Sequence, residues 1–492
     1  MGSSPRTALI HARVDHNAVP PLGLLSMATV LARAGYAARV WDPPPSDERF
    51  LDEIVAFKPD LVGVSVLTAE FRRAAAILSA LRTRLPGVPR LIGGAHVSAL
   101  PRESLEALGA DLAVVGEGED ALLALVRAFE TTGALPAGLP GTVTRAGAGP
   151  APVPIADLDR LPIPDRALLA GDYGWYLAPP GVLRGLWRHG TTTIVASRGC
   201  PHRCVFCASH VVGGRVARVR SVPLVVEELR RLRARYGIRG AWFLDDDLAA
   251  RAGWLGELCQ ALGPLGLEWS CQARIDRLDA PLLREMAAAG CVQVEVGLES
   301  GSDRVLRSLR KGLDVGRVQE RVAAVRAAGI RVMINFMLGA PGETAEDIQA
   351  TFALARRLRP DFVEFNVCTP YPGSDLYAAA VREGTLVRGA LDFDEHWSEH
   401  FTESPVLAGG LPGRALMHWR ARMQNAFLVS NYRHIAAGLL RSPRAQARLG
   451  RSLVRAVRRE PGAFMGALRT RQLDPLLWRA YAAWSASWRG GR

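Results

Sequence analysis

Apolar residues come in short runs separated by longer amphipathic stretches, and this rhythm occurs twice along the chain. Thr7–Ala12, Ala38–Trp41, Leu61–Leu67 (LVGVSVL), Leu91–Gly93 and Leu112–Val115 read as strands buried on both faces. The apolar spacing between them predicts helices over Pro20–Arg33, Ala69–Arg84 and Glu103–Leu108. Pro20 and Pro21 sit where a first helical turn tolerates proline, and Gly35 sits where a helix can end. Such alternation predicts a doubly wound parallel sheet that binds its ligand at the carboxyl ends of the strands.

Gly138 to Ala170 (with PIADLDRLPIPD) is rich in Pro, Gly and Asp and lacks a period, which reads as an interdomain linker. The alternation restarts with strands at Thr192–Ala196, Ala241–Leu244, Glu268–Ala273, Val292–Leu298, Arg331–Leu338 and Phe362–Val367. Helices are predicted over Pro223–Tyr236, Ala280–Ala289, Val315–Ala328 and Thr344–Leu358. Six such units predict a partial (β/α)6 barrel with its site at the strand carboxyl ends. Periodicity from Gly384 onward is helical, with His396, Trp397, His400, Trp419 and Tyr432 among the helices. The last segment (RSLVRAVRR, then Trp484 and Trp488) is basic and amphipathic; packing against the barrel is the expectation, a membrane surface the alternative. The expected division is a domain over 1–139, a linker over 140–185, a barrel over 186–383 and a helical region over 384–492.

Composition narrows the class. At 492 residues the chain calls for two or three domains, and 49% hydrophobic content is globular. No N-terminal apolar run has signal-peptide or membrane-spanning length, so a cytoplasmic location is expected. A formal charge of +13 would suggest nucleic acid, but Lys58 and Lys311 are the two lysines and arginine supplies the rest, as GC-rich coding does. The charge is spread without a basic run or interleaved aromatics, which argues against nucleic acid as a partner. Seven cysteines, three of them clustered, fit a reducing compartment.

Those three carry the chemistry. SRGCPHRCVFCASH places Cys200, Cys204 and Cys207 at spacings of four and three in a loop curled by Gly199 and Pro201. Thiolates are the ligands of iron–sulfur clusters. With no fourth cysteine nearby, one iron of a [4Fe–4S] cube stays open to an exogenous ligand. A structural zinc site with His210 as fourth ligand satisfies the same spacing.

CxxxCxxC after a strand, with Phe206 before the last cysteine, resembles the signature of radical S-adenosylmethionine (SAM) enzymes. PPLGLLSMATVLARAGY, Ser65-Val66-Leu67, GGAHVSALP and VVGEGE are similar to the cobalamin-binding domain fused to many of them, and LDRLPIPD to their interdomain bridge. The resemblance implies an N-terminal Rossmann-like cobalamin domain, a central radical SAM barrel and a C-terminal helical extension over the barrel mouth. It assigns Cys200, Cys204 and Cys207 to a [4Fe–4S] cluster, and Asp246, Arg274, Glu299, Asn335 and Met337 to SAM. Ser65, Leu67, Gly93, Gly94, His96, Gly116 and Glu117 fall to cobalamin. The family's D-x-H-x-x-G motif, which supplies a histidine to cobalt, is missing: the loop reads VDHNAVPPLG, and Asp15-His16 has the wrong spacing. Cobalamin is therefore expected base-off, without a histidine ligand.

The residues themselves leave alternatives. Asp245-Asp246-Asp247 suits a SAM contact or a solvated turn, and Arg274 a carboxylate fork or an interior salt bridge. Alternation places Glu295, Gly297 and Glu299 on one interior face, where a carboxylate serves a ribose or pairs with a cation. Cys368 and Tyr371 suit hydrogen donation or pocket lining; Cys259, Cys271 and Cys291 read as packing.

The resemblance implies cobalamin-dependent methylation of an unactivated carbon: SAM cleavage gives a 5′-deoxyadenosyl radical that takes a substrate hydrogen, and the corrinoid delivers the methyl group. A radical dehydratase, epimerase or cyclase with an empty or auxiliary cobalamin domain is the second reading, and a non-catalytic zinc-containing corrinoid carrier the third. The expected partners are a small molecule of specialised metabolism and an electron donor such as flavodoxin or ferredoxin, with a monomer or weak homodimer and no membrane.

Overall fold

The computed structural model describes residues 4–14, 19–45, 47–177, 190–251, 253–387, 392–394, 397, 407–408, 410–428 and 431. It divides into two compact units. One comprises Met1–Tyr173, Val195–Glu228 and Thr369–Thr402; the other comprises Gly174–Ile194, Leu229–Cys368 and Glu403–Arg492.

The first unit begins with β1 (Arg6–His11), α1 (Leu22–Arg33), β2 (Ala37–Trp41), α2 (Phe50–Phe57), β3 (Leu61–Ser65), α3 (Phe71–Arg84) and β4 (Arg90–Gly93). α4 (Ala95–Ala99), α5 (Pro101–Leu108), β5 (Leu112–Val114), α6 (Gly118–Thr132), β6 (Thr142–Thr144) and β7 (Gly147–Ala148) follow. The strand order is β2-β1-β3-β4-β5-β6-β7, with the first five parallel and the last two antiparallel. Parallel strands covered by helices on both faces are apolar throughout, as Ile10, Val62, Val64 and Ile92 are here. The order 2-1-3-4-5 places its topological switch between β1 and β3, where ligands bind in doubly wound sheets.

Two stretches differ from the sequence expectation. The apolar run Leu61–Leu67 stops pairing at Ser65, so Val66 and Leu67 belong to the carboxyl-end loop. β6 and β7, in the stretch read as linker, are too short for alternation to show.

β8 (Thr191–Ile194) opens the second sheet. The chain then forms β9 (Ser197–Arg198), the cysteine loop with α7 (His210–Gly213), β10 (Arg218–Val219) and α8 (Val222–Tyr236). The second unit continues with β11 (Gly240–Phe243), α9 (Trp254–Leu262), β12 (Glu268–Gln272), α10 (Ala280–Ala288) and β13 (Cys291–Glu299). After these come α11 (Asp303–Ser308), α12 (Val315–Ala327), β14 (Arg331–Leu338), α13 (Ala345–Leu358) and β15 (Phe362–Val367). The six strands run in the order β15-β14-β13-β12-β11-β8, all parallel, as the expected open barrel requires. Phe336 and Phe365 stack at 5.5 Å between ring centroids in its core.

α14 (Asp375–Glu383) belongs to the first unit, and α15 (Gly413–Ala426) packs along β15 in the second. Gln424 Oε1 accepts from Phe365 N and Asn431 Oδ1 from Val363 N, which ties this helical segment to the sheet. Asp15-His16, His396, His400, Tyr432 and the basic segment with Trp484 and Trp488 lie outside the described residues. Among the described residues no helix is long and apolar enough to cross a membrane.

Candidate functional site

The cysteine loop is framed by β9 and β10, an antiparallel pair in which Arg198 lies opposite Arg218 and Ser197 opposite Val219. Cys200 N donates to Gly214 O (3.2 Å) and Cys207 N to Cys204 O (3.2 Å), so backbone bonds hold both ends of the motif. Gly199 has φ +82°, and a Cβ there would clash with the carbonyls of Val216 and Gly213. The loop can close only on glycine.

Cys200, Cys204 and Cys207 are part-exposed and form no disulfide, with Cys207 Sγ donating to Ser209 Oγ (3.3 Å), whereas Cys259, Cys271, Cys291 and Cys368 are buried. Burial and the neighbouring Cys291 push the Cys259 thiol up to about 12, and Cys271, hydrogen-bonded to Cys291 and buried, is also raised. Those thiols stay protonated and poor in nucleophilic or ligating character. Among the described residues no three His, Cys, Asp or Glu side chains converge on one ion position. A cube with a different iron for each thiolate does not require convergence, and the donor set fits it.

At the switch point of the first sheet stands His11, which sequence reasoning passed over as the polar end of an apolar strand. Nδ1 is 2.8 Å from Asp42 Oδ1 and Nε2 3.0 Å from Glu70 Oε1. Burial works against the charged ring, yet the bonds to Asp42 and Glu70 outweigh it and raise the pKa to about 10. With both ring nitrogens donating, this imidazolium has no lone pair for a metal. Beside it Ser65 is half-buried, and Leu67, just past the end of β3, is 47% exposed. An exposed aliphatic side chain at the carboxyl end of a central strand fits the apolar edge of a large ring. Gly93 ends β4 and Gly94 leads into α4.

The other residues assigned to cobalamin have partners within the protein. His96 is buried, with its ring 4.9 Å from Phe71 and 4.5 Å from Phe393, and Nδ1 3.2 Å from Thr68 Oγ1. Burial lowers its pKa to about 4. Gly116 N donates to Ser98 Oγ (2.9 Å). The Glu117 carboxylate accepts from Arg198, Arg218 and Ile155 N. Tyr371 belongs to the same unit; its carbonyl accepts from Ser374 N (3.0 Å) and Ser374 Oγ (2.6 Å).

In the second unit, Asp246 is the exposed member of the acidic run, with Asp245 and Asp247 buried. Asp247 Oδ1 accepts from Ala249 N and Arg274 N. Arg274 forks onto the exposed Asp276 (3.0 Å at both nitrogens) and donates to Lys311 O (2.8 Å). Glu295, Gly297 and Glu299 face the same side: Glu295 meets Asn335, the register partner of Gly297, and the Glu299 carboxylate lies where a Gly297 Cβ would point, although strict alternation is interrupted on the way. The register of β13 against β14 shifts between Gly297 and Glu299, and Glu299 has φ +67°, because the bulge turns its carboxylate toward Lys311.

Asn335 Nδ2 donates to Glu295 Oε1 (2.7 Å), which leaves its buried Oδ1 without a donor. Glu343 Oε2 accepts from Gly339 N (2.5 Å), and its buried Oε1 is likewise without one. Burial raises the Glu343 pKa to about 7. Two buried acceptors lacking donors fit a ligand rich in N–H and O–H groups, as SAM is, with its ammonium, ribose hydroxyls and adenine amine. Met337 is buried in the core. Cys368 is buried as well, its N–H bonded to Leu338 O (2.8 Å) and its thiol pushed up by burial.

The first sheet and the barrel define a ligand-binding α/β unit and a parallel barrel whose first strand leads into three part-exposed cysteines. Residues 10–126 match the B12 binding domain family and residues 194–355 the radical SAM superfamily. An uncharacterized methyltransferase of Pyrococcus horikoshii is 30% identical over 82% of this chain and 86% of its own. The cytidylyl-2-hydroxyethylphosphonate methyltransferase of Streptomyces wedmorensis is 28% identical over 74% of this chain and 78% of its own. The structure of the radical SAM methyltransferase TsrM from Kitasatospora setae, with cobalamin and a [4Fe–4S] cluster bound, superposes with a TM-score of 0.67 at 24% identity, covering 78% of this chain and 79% of that one. The protein belongs to the radical SAM enzymes that carry an N-terminal B12-binding domain. Its cofactors are SAM, a [4Fe–4S] cluster and cobalamin.

Proposed function

We propose that this enzyme methylates an unactivated carbon of a small molecule of specialised metabolism. The observation that carries the reading is the set of three part-exposed cysteines on one loop after the first barrel strand, with the other four cysteines buried. Cys200, Cys204 and Cys207 hold the cluster. When bound, the cluster supplies the electron that splits SAM and the corrinoid carries the methyl group.

The chain's own residues bind and orient. Asn335 Oδ1 and Glu343 Oε1 accept from SAM, and the exposed Asp246 faces its ammonium. Lys311, held by Glu299 and steadied through its carbonyl by Arg274, presents a cation to the SAM carboxylate. Met337 gives apolar support from the core. Ser65, Leu67, Gly93 and Gly94 would meet the corrinoid, and His11, with both ring nitrogens held by Asp42 and Glu70, would not ligate it. Cys368, a neutral buried thiol, and Tyr371 take the pocket-lining reading, since a substrate radical that accepts a methyl group needs no returned hydrogen. A small reduced protein such as flavodoxin or ferredoxin delivers electrons to this cytoplasmic enzyme, which works as a monomer or weak homodimer. The domains are assigned to 1–139, 186–383 and 384–492, with a linker over 140–185 whose start still supplies β6 and β7 to the first sheet.

The test is anaerobic reconstitution with iron, sulfide and hydroxocobalamin, followed by desalting, an absorbance measurement of bound corrinoid, and addition of SAM with a strong reductant. Stoichiometric corrinoid with both 5′-deoxyadenosine and S-adenosylhomocysteine supports the proposal. Deoxyadenosine without corrinoid or S-adenosylhomocysteine indicates radical chemistry without methyl transfer. Deoxyadenosine formation by the Cys200/Cys204/Cys207→Ala triple variant overturns the cluster assignment.

A further inference from the structure

Arg198 and Arg218 lie directly opposite each other in the two-residue ladder that closes the cysteine loop. Like charges in that relation destabilise a strand pair, and both side chains are largely buried, at 22% and 9% exposure. One carboxylate answers both. Glu117, 2% exposed, takes Arg198 Nη1 on Oε1 (3.1 Å), Arg218 Nη2 on Oε1 (3.0 Å) and Arg218 Nη1 on Oε2 (2.8 Å). Its third donor is Ile155 N, at 2.6 Å from Oε2. Glu119 assists on one side only, accepting from Arg198 and from Ser26 Oγ.

From Glu117 the contacts run straight into the cysteine motif. Arg218 Nη2 also donates to Gly213 O (2.6 Å), and the next carbonyl, Gly214 O, accepts the N–H of Cys200. On the other strand, Arg198 stands two residues before Cys200. Glu117 itself occupies the N-cap position of α6, without a side-chain capping bond, on the loop after β5 that resembles a corrinoid contact. Its carboxylate, though, is spent on the two arginines and Ile155.

We propose that Glu117 is a positioning residue for the cluster: it neutralises Arg198 and Arg218 together and thereby holds the Cys200–Cys207 loop closed, without itself touching the corrinoid. This rests on the reading that those cysteines ligate the cluster. Its claim about loop closure can nevertheless be tested on the unloaded chain.

The experiment compares wild type, Glu117→Gln and the charge-repaired double variant Glu117→Gln/Arg218→Gln. Trypsin cleavage at Arg203 and Arg215, mapped by mass spectrometry under native conditions, reports loop opening without any cofactor. The rate of iron release to a chelator after reconstitution reports cluster retention, and hydroxocobalamin titration reports corrinoid affinity. Glu117→Gln is expected to raise both the cleavage rate and the iron-release rate about tenfold, with corrinoid affinity changed less than twofold. The double variant, with one of the opposed charges gone, is expected to return both rates to within about threefold of wild type.

A large loss of corrinoid affinity with unchanged cleavage overturns the proposal, since Glu117 would then be a corrinoid contact. A double variant as labile as the single one overturns it too, because charge repulsion would not be the cause. Should Glu117→Gln not fold, the double variant decides: wild-type rates support the proposal and failure to fold refutes it. Failure of the cluster reading looks different: faster cleavage in Glu117→Gln while the triple cysteine variant still retains iron.

Discussion

Lys311 Nζ stands 2.8 Å from Glu299 Oε1, with both side chains about one-tenth exposed, directly above Gly297. The pair exists because β13 breaks register between Gly297 and Glu299 and puts Glu299 in a left-handed conformation that non-glycine residues rarely adopt. Backbone strain of this kind persists where surrounding contacts over-determine it, and it clusters at functional sites. A chain that uses arginine for nearly all its cations keeps a lysine here. A compact ammonium fits over Gly297, where a planar guanidinium would need more room.

Breaking that pair leaves a buried charge without its partner. Lys311→Met and Glu299→Gln are each expected to destabilise the protein by about 3 kcal/mol, while the double variant recovers more than half of the loss. Urea denaturation midpoints of the four proteins complete the double-mutant cycle. Additive losses would show that the two groups do not interact across Gly297.

At Gly199 the constraint is backbone shape. An alanine there must adopt φ near +82° against the carbonyls of Val216 and Gly213, at a strain of about 1–3 kcal/mol confined to the loop. Gly199→Ala is expected to keep wild-type circular dichroism and corrinoid binding while losing at least half its iron after reconstitution and desalting. Full iron content in this variant would mean that the loop tolerates another closure.

Both sheets and the cysteine motif were legible because their signals are local: apolar runs fix strands, helical spacing fixes the crossovers, and three cysteines within eight residues announce a shared ligand. The β13 bulge was not, since a period of two extends through Glu299 and nothing local marks the slip at Leu298. Arg274 was ambiguous for a different reason. Its guanidinium suits a ligand carboxylate or a protein one, and the choice of Asp276 and Lys311 O is made by tertiary neighbours. Glu117 and His96 lie in glycine-rich loops at strand ends, where sequence suggests a ligand; whether such a side chain turns outward or back into the protein depends on partners as distant as Arg218 and Phe393. His11 gave no signal at all, because Asp42 and Glu70 reach it only through strand pairing and the loop after β3.

Glu343 makes the second unit sensitive to neutral pH. Burial raises its pKa from 4.5 to about 7, so between those values the folded state binds more protons than the unfolded one. Stability from this group is complete below pH 4.5 and is lost as pH rises through 7, a change of up to about 3 kcal/mol. Glu343→Gln is expected to flatten the decline in melting temperature between pH 5 and 8. An unchanged slope would assign the dependence to other groups.

His96 works with the opposite sign, and in the first unit. Burial among Phe71, Phe393 and Thr68 lowers its pKa from 6.5 to about 4, so the unfolded state takes up the proton first as pH falls. Its contribution is complete above pH 6.5 and disappears on acidification through pH 4, again up to about 3 kcal/mol. Because His96 and Glu343 lie in different units, calorimetry between pH 5 and 7 is expected to resolve two transitions moving in opposite directions: acid lowers the first unit's transition and raises that of the second. His96→Gln should remove the acid sensitivity of one transition, and Glu343→Gln the response of the other. A single transition that either substitution shifts equally at every pH would mean that the two units unfold as one cooperative body and that neither group titrates in this range.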